Sequence, residues 1–195
     1  MCGRYSLYDD DDYFEIYNFL NELRKRYPAG QFKTGEIFPT MNVPVLIAAK
    51  DDSRTYRPEL YSWGFPGFKS SAVIINARSE TADQKRMFAS GLQSHRCIVP
   101  STGFYEWSDK PKIKYHFTKP DEGNGLYMAG VCSIYDGALR FVILTKDANE
   151  IVSPIHDRMP VIIDKTNIGT WLNDDSATLQ LMQQPSPKLL CTKVG

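Results

Sequence analysis

The first regular pattern of apolar positions along the chain is helical. Tyr13, Ile16, Tyr17, Leu20 and Leu23 recur at steps of one, three and four, the spacing that lines one face of an α-helix. Asp9 to Asp12 precede them and offer an N-cap and negative charge for the helix dipole. Arg24, Lys25 and Arg26 close the last turn, and Pro28-Ala29-Gly30 stops it. The pattern predicts an amphipathic helix over 11–26 covering one side of a core.

Elsewhere the pattern is mainly that of short strands. Residues 3–8 read as one, with Tyr5 and Leu7 on one side. Further strands are predicted over 43–49 and 55–63, before a loop marked by Gly64, Pro66 and Gly67. The run Val73-Ile74-Ile75 delivers Asn76 to its end. Strands follow over 97–100, 103–107, 114–117 and 126–135, with a turn at 121–125. Asp136-Gly137, between Ile134-Tyr135 and Leu139-Phe141, is the strongest local hairpin signal. The second hairpin strand continues through 142–145, and 159–163 is another. Helices are predicted over 81–90, 166–172 and 176–183. The tail after Gln184 carries two prolines and is expected to be loosely held. Many short strands, few helices and no βαβ alternation predict one mostly antiparallel α+β domain over 1–195. A strongly curved sheet or partial β-barrel with peripheral helices fits that inventory.

Composition narrows the picture. A 42% hydrophobic content supports a real core, and no apolar run is long enough to span a membrane. With an acidic stretch where a signal peptide would be apolar, a cytoplasmic protein is expected. The cysteines Cys2, Cys97, Cys132 and Cys191 are scattered, with no pair at zinc spacing, so neither metal nor cofactor is expected. Net charge is zero. That argues against coating nucleic acid by bulk electrostatics but leaves room for a local basic groove.

The candidate chemistry begins at Met1-Cys2. Removal of Met1 would give Cys2 a free amine beside its thiol. Both groups have ordinary pKa values that leave some nucleophile near neutral pH. Such an aminothiol traps aldehydes, the amine forming an imine and the thiolate closing a thiazolidine ring. The bland alternative is an incidental terminal thiol. Glu106, in Gly103-Phe104-Tyr105-Glu106-Trp107, shares a strand face with Phe104. Burial there would raise its pKa and suit it to proton transfer; an exposed edge residue is the alternative. His156 lies between Pro154 and Pro160 and is a candidate acid or base. On an extended chain its neighbour Asp157 is expected to face elsewhere. Asn76 could orient a reacting group. Arg78 offers a planar fork to phosphate, while Ser79 and Glu80 also read as a helix start. Arg4, Arg78 and Arg158 each sit beside a candidate catalytic residue. Trp63 and Trp107 are candidates to stack on bases, with core packing as the plain alternative.

These stretches together resemble the SOS response-associated peptidase family, the group that shields abasic sites in single-stranded DNA. The resemblance rests on Met1-Cys2-Gly3-Arg4-Tyr5, Trp63-Gly64-Phe65, Asn76 to Thr81, Arg96 to Pro100, Gly103 to Trp107 and Thr145 to Pro160. It implies covalent capture of an abasic site in single-stranded DNA through Cys2 by a monomer, without metal, associated with the nucleoid when bound. By motif position it implies catalytic roles for Cys2, Asn76, Glu106 and His156. It also implies DNA contacts from Arg4, Arg78, Trp107 and Arg158, beside the stacking candidate Trp63 read from the residues above. The chain departs from the family in a shortened loop after Trp63, where Phe68 takes the place of a further Trp, and in a shorter C-terminal end. The rival readings are an N-terminal cysteine peptidase using the same Cys2, His156 and Glu106, and a non-catalytic reader of modified bases.

Overall fold

The structure is a computed structural model that describes residues 2–49, 55–67, 72–120 and 123–194. Met1, Phe68 and part of the turn expected at 121–125 lie outside the described residues.

In chain order the first elements are β1 (Tyr5–Leu7), a 3₁₀ turn (Asp11–Tyr13) and α1 (Phe14–Arg26). The helix forms where the apolar period predicts it. Asp10 accepts the backbone N–H of Asp12 at the entry, and Ile16, Leu20 and Leu23 are buried. There follow β2 (Gly35–Ile37), β3 (Asn42–Ala48), β4 (Tyr56–Trp63), β5 (Phe65–Pro66), β6 (Val73–Ile74) and β7 (Asn76–Arg78).

The helix expected over 81–90 is displaced. Ser79–Thr81 is a 3₁₀ turn, and α2 runs Arg86–Ser94. Asp83, Gln84 and Lys85 are exposed, and the buried helical face starts only at Phe88, continuing through Gly91 and Leu92. The next strands are β8 (Arg96–Ser101), β9 (Gly103–Trp107), β10 (Lys114–Thr118), β11 (Leu126–Tyr135), β12 (Ala138–Asp147) and β13 (Arg158–Pro160). Asp136 and Gly137 both adopt positive φ, 50° and 76°, in the tight turn that pairs Tyr135 with Ala138. The chain closes with α3 (Ile168–Asn173), α4 (Thr178–Gln183) and β14 (Leu190–Lys193). The tail after Gln184 is thus not wholly loose: β14 pairs with β10 as an exposed edge strand, anchored by buried Leu189.

Five strands close on themselves. β11 pairs with β8, β8 with β3, β3 with β4, β4 with β12, and β12 again with β11. Only the β4–β12 contact in this ring is parallel. The expected α+β class with a curved, largely antiparallel sheet is therefore realised as a small closed barrel. The second sheet, in the order β14-β10-β9-β1-β2, is antiparallel throughout. Its inner residues Tyr5, Leu7, Ile37, Phe104 and Phe117 join the barrel residues Val43, Val45, Trp63, Val99, Met128 and Phe141 in one core, which also contains Cys2. A second core lies under α2, α3 and α4, where Phe88, Leu92, Trp171, Leu172, Leu181 and Met182 cover Leu46, Ile98, Val131 and Val142. No helix among the described residues is long and apolar enough to cross a membrane.

Candidate active site

The site gathers where the N-terminal strand enters the core. Strand β1 is held between β2 and β9. The Ser6 hydroxyl fixes it further, lying 2.8 Å from His116 Nε2 and 3.2 Å from the Gly103 carbonyl oxygen while accepting from the Thr102 hydroxyl at 2.9 Å. Gly103 makes this approach possible, since a Cβ there would sit 2.3 Å from His116 Nε2. The pinned strand places Cys2 in the core with no exposed surface.

Asn76 reaches Cys2 from the other sheet. Its Nδ2 donates to the Cys2 carbonyl oxygen at 3.0 Å. Strand β7 holds it there by parallel pairing with β12, Asn76 opposite Ile143. Asn76 Oδ1 is buried and has no hydrogen-bond partner among the described residues; the same holds for Arg4 Nε. Spare polar atoms of this kind are costly in a core and common where a ligand completes a site. Arg78 is two residues further along β7, on the same side as Asn76, and exposed.

Glu106 is on β9 with Phe104 on the inner face, 3% exposed. Burial raises its pKa to about 7, and the nearby charge of Asp157 pushes the same way. The Cys2 thiol is held well above its usual range, first by burial and then by Glu106. His156 Nδ1 lies 2.9 Å from the backbone N–H of Arg158, which donates to the unprotonated nitrogen. Asp157 does not face away as expected: its Oδ1 lies 2.9 Å from the same Nδ1, an attraction once the ring is protonated. Burial nevertheless lowers the His156 pKa on balance.

Two residues expected at the DNA are packed inside the protein. Trp63 is fully buried, its ring 5.3 Å from that of Tyr5 and 6.4 Å from that of Phe141, and its indole N–H donates to Ile75 O at 3.0 Å. A ring with no exposed face does not stack on a base. Arg158 is likewise engaged internally, its side chain 7% exposed. It makes a fork to Glu80 at 2.7 and 2.8 Å, pairs with Asp147, and donates to Thr145 O at 2.7 Å. It is a clasp between β12, β13 and the Ser79–Thr81 turn, and it steadies the loop carrying His156.

Arg4 and Trp107 lie together on the outer face of the second sheet. The Arg4 guanidinium sits 5.2 Å from the Trp107 ring and 3.9 Å from Phe38, and it pairs with Glu36 at 3.0 Å. Glu36 and Phe38 escape a reading of the sequence. Glu36 in β2 and Phe38 just beyond its end lie more than thirty residues from Arg4, and the pairing of β1 with β2 brings them beside it. Among the described residues no cluster of His, Cys, Asp and Glu could hold a metal ion.

Fold and site together define a small barrel domain with a buried cysteine held by an amide from another strand and lying close enough to a buried carboxyl to feel its charge. The chain belongs to the SOS response associated peptidase (SRAP) family, whose model matches residues 1–195. It is similar to abasic site processing protein YoqW of Bacillus subtilis strain 168, 33% identical over 214 residues, covering 95% of this chain and 87% of the relative. Abasic site processing protein YedK of Escherichia coli K12 is 27% identical over 182 residues, covering 90% and 81%. A crystal structure of a Bordetella bronchiseptica protein shares the fold, with a TM-score of 0.76, 23% identity and full coverage of both chains.

Proposed function

We propose that this protein captures abasic sites in single-stranded DNA covalently, through Cys2 after loss of Met1, and so shields the lesion in the response to DNA damage. Its family and its relatives, named as abasic site processing proteins, support the abasic site as the target. The observation that carries the chemistry is the contact of Asn76 with the Cys2 carbonyl, beside a buried carboxyl of pKa about 7 whose charge acts on the Cys2 thiol.

The order of steps follows from the proton affinities. A buried thiol held neutral is a poor first nucleophile, whereas an amine needs no ionisation to attack. The Cys2 amine adds to the C1′ aldehyde of the opened sugar. Glu106 gives a proton to the departing oxygen, which leaves as water, and a protonated imine remains. The thiol then gives its proton to Glu106, now ionised, and its sulfur closes on the imine carbon. The C=N electron pair moves to nitrogen, which keeps its proton, giving a saturated neutral thiazolidine. His156, as a proton donor, assists opening of the sugar ring. Asn76 Oδ1 is a ready acceptor for the attacking N–H or a sugar hydroxyl. Holding the partners together supplies most of the rate. Arg4, Arg78 and Trp107 contact the flanking strand. An imine that eliminates before closing gives weak lyase activity, and removal of Met1 by the same cluster is the peptidase-type reaction.

The test is a denaturing gel of protein with single-stranded DNA carrying one abasic site. A heat-stable shifted band, absent with undamaged DNA and lost in Cys2→Ala, is expected. No band from a chain verified to begin at Cys2 would overturn the proposal.

A further inference from the structure

The hairpin between β9 and β10 carries Lys110, Lys112 and Lys114 within five residues. Its shape is fixed by Ser108, whose N–H donates to Ile113 O at 3.0 Å and whose hydroxyl donates to Pro111 O at 2.6 Å and accepts the Ile113 N–H at 3.1 Å. Lys110 and Lys112 lie outside this knot and are exposed. The hairpin lies beside the active site, since Asp109 is among the charges acting on His156.

Lys114 continues the basic row onto the outer face of the second sheet. Its Nζ sits 4.1 Å from the Tyr105 ring and 5.8 Å from the Trp107 ring, so Trp107 has Lys114 and Arg4 both within reach. Phe38, 42% exposed, lies against Arg4. Glu36 accepts from both cations, at 2.6 Å from Lys114 and 3.0 Å from Arg4. With Lys110 and Lys112 the row holds four cations against the two carboxylates Glu36 and Asp109, which leaves it positive.

We infer that the β9–β10 hairpin and the adjoining outer sheet face form a track for the single-stranded DNA flanking the lesion, with Lys110 and Lys112 on its phosphates and Phe38 and Trp107 against its bases. Cations interleaved with aromatic faces are what a single strand of any sequence can use, each base having a π-face and each nucleotide a phosphate. The track is continuous with the site through Arg4, two residues from Cys2. It rests on the proposed function. It also places the phosphate contacts that Arg158, spent on Glu80 and Asp147, does not make.

The experiment measures affinity for an undamaged oligothymidine across a salt series, with capture of an abasic oligonucleotide measured in parallel. Each phosphate contact on a single strand contributes about 0.7 to the slope of log K against log salt. The double variant Lys110→Ala/Lys112→Ala is therefore expected to flatten the slope by about 1.4, while Lys25→Ala, an exposed charge on α1, leaves it unchanged. Both lysines are solvent-exposed, so the fold does not depend on them. A slope equal to wild type in the double variant, with capture intact, overturns the track and leaves the proposed function standing. Equal flattening by Lys25→Ala overturns it too, by showing a bulk charge effect. Failure of the wild type to bind or capture DNA removes both.

Discussion

Glu106→Gln separates the cost of the buried carboxyl from everything else in the site. Burial lifts that carboxyl from 4.5 to about 7. At about 1.36 kcal/mol per pH unit, ionising it in the folded chain costs about 3 kcal/mol more than in the unfolded chain. The sign follows from proton binding. Between about pH 4.5 and 7 the folded state keeps a proton that the unfolded state has lost, so stability falls as pH rises through that window and levels off above it. The amide cannot ionise and is free of this loss. Thermal melts of both proteins at about pH 4 and pH 8 read the effect. Any fixed penalty of the amide in the pocket cancels between the two pH values. For a chain of this length, about 3 kcal/mol corresponds to a relative gain in Tm of about 6–12 °C for the variant at the higher pH. A stability difference that does not change with pH would refute the burial-driven shift, and with it the role of Glu106 as a proton carrier near neutrality. The same variant is expected to slow DNA capture by about 100-fold or more, the usual loss of a general acid–base group.

The other predictions concern residues whose surroundings reassign them. Trp63→Ala is expected to cost about 3–5 kcal/mol in urea unfolding, because a fully buried indole leaves a cavity; unchanged stability with weakened DNA binding would return Trp63 to the DNA interface. Glu36→Gln frees Arg4 and Lys114 from their shared carboxylate. Tighter binding of single-stranded DNA and a steeper salt dependence are expected, and unaltered affinity would show that Glu36 does not compete with phosphate.

What the sequence made legible, and what it hid, divides by range. The helix over 11–26 and the Asp136-Gly137 hairpin rest on neighbours in the chain, and both form where the pattern puts them. The start of α2 was misplaced because Asp83 to Lys85 have helix-compatible types but no buried partner. Barrel closure was not legible: it depends on β4 meeting β12 in parallel, a pairing no local pattern encodes. The site shows the same division. The alternation put Glu106 on the same face as Phe104 but left open which face is inner; the burial of Phe104 decides it. The internal packing of Trp63 and Arg158 is not legible locally, because their partners Phe141 and Glu80 are 78 residues away in each case. A residue type states what a side chain can do; its long-range partners decide whether it is free to do it.

The most direct test of covalent capture through Cys2 is the intact mass of the protein–DNA adduct before and after borohydride treatment, with the linked residue located by peptide mapping. The expected adduct is the chain beginning at Cys2 plus the abasic oligonucleotide, less one water, joined at Cys2 and unchanged by borohydride because a thiazolidine holds no reducible double bond. An adduct that gains two hydrogens, or one joined at a lysine, would contradict ring closure by the Cys2 aminothiol.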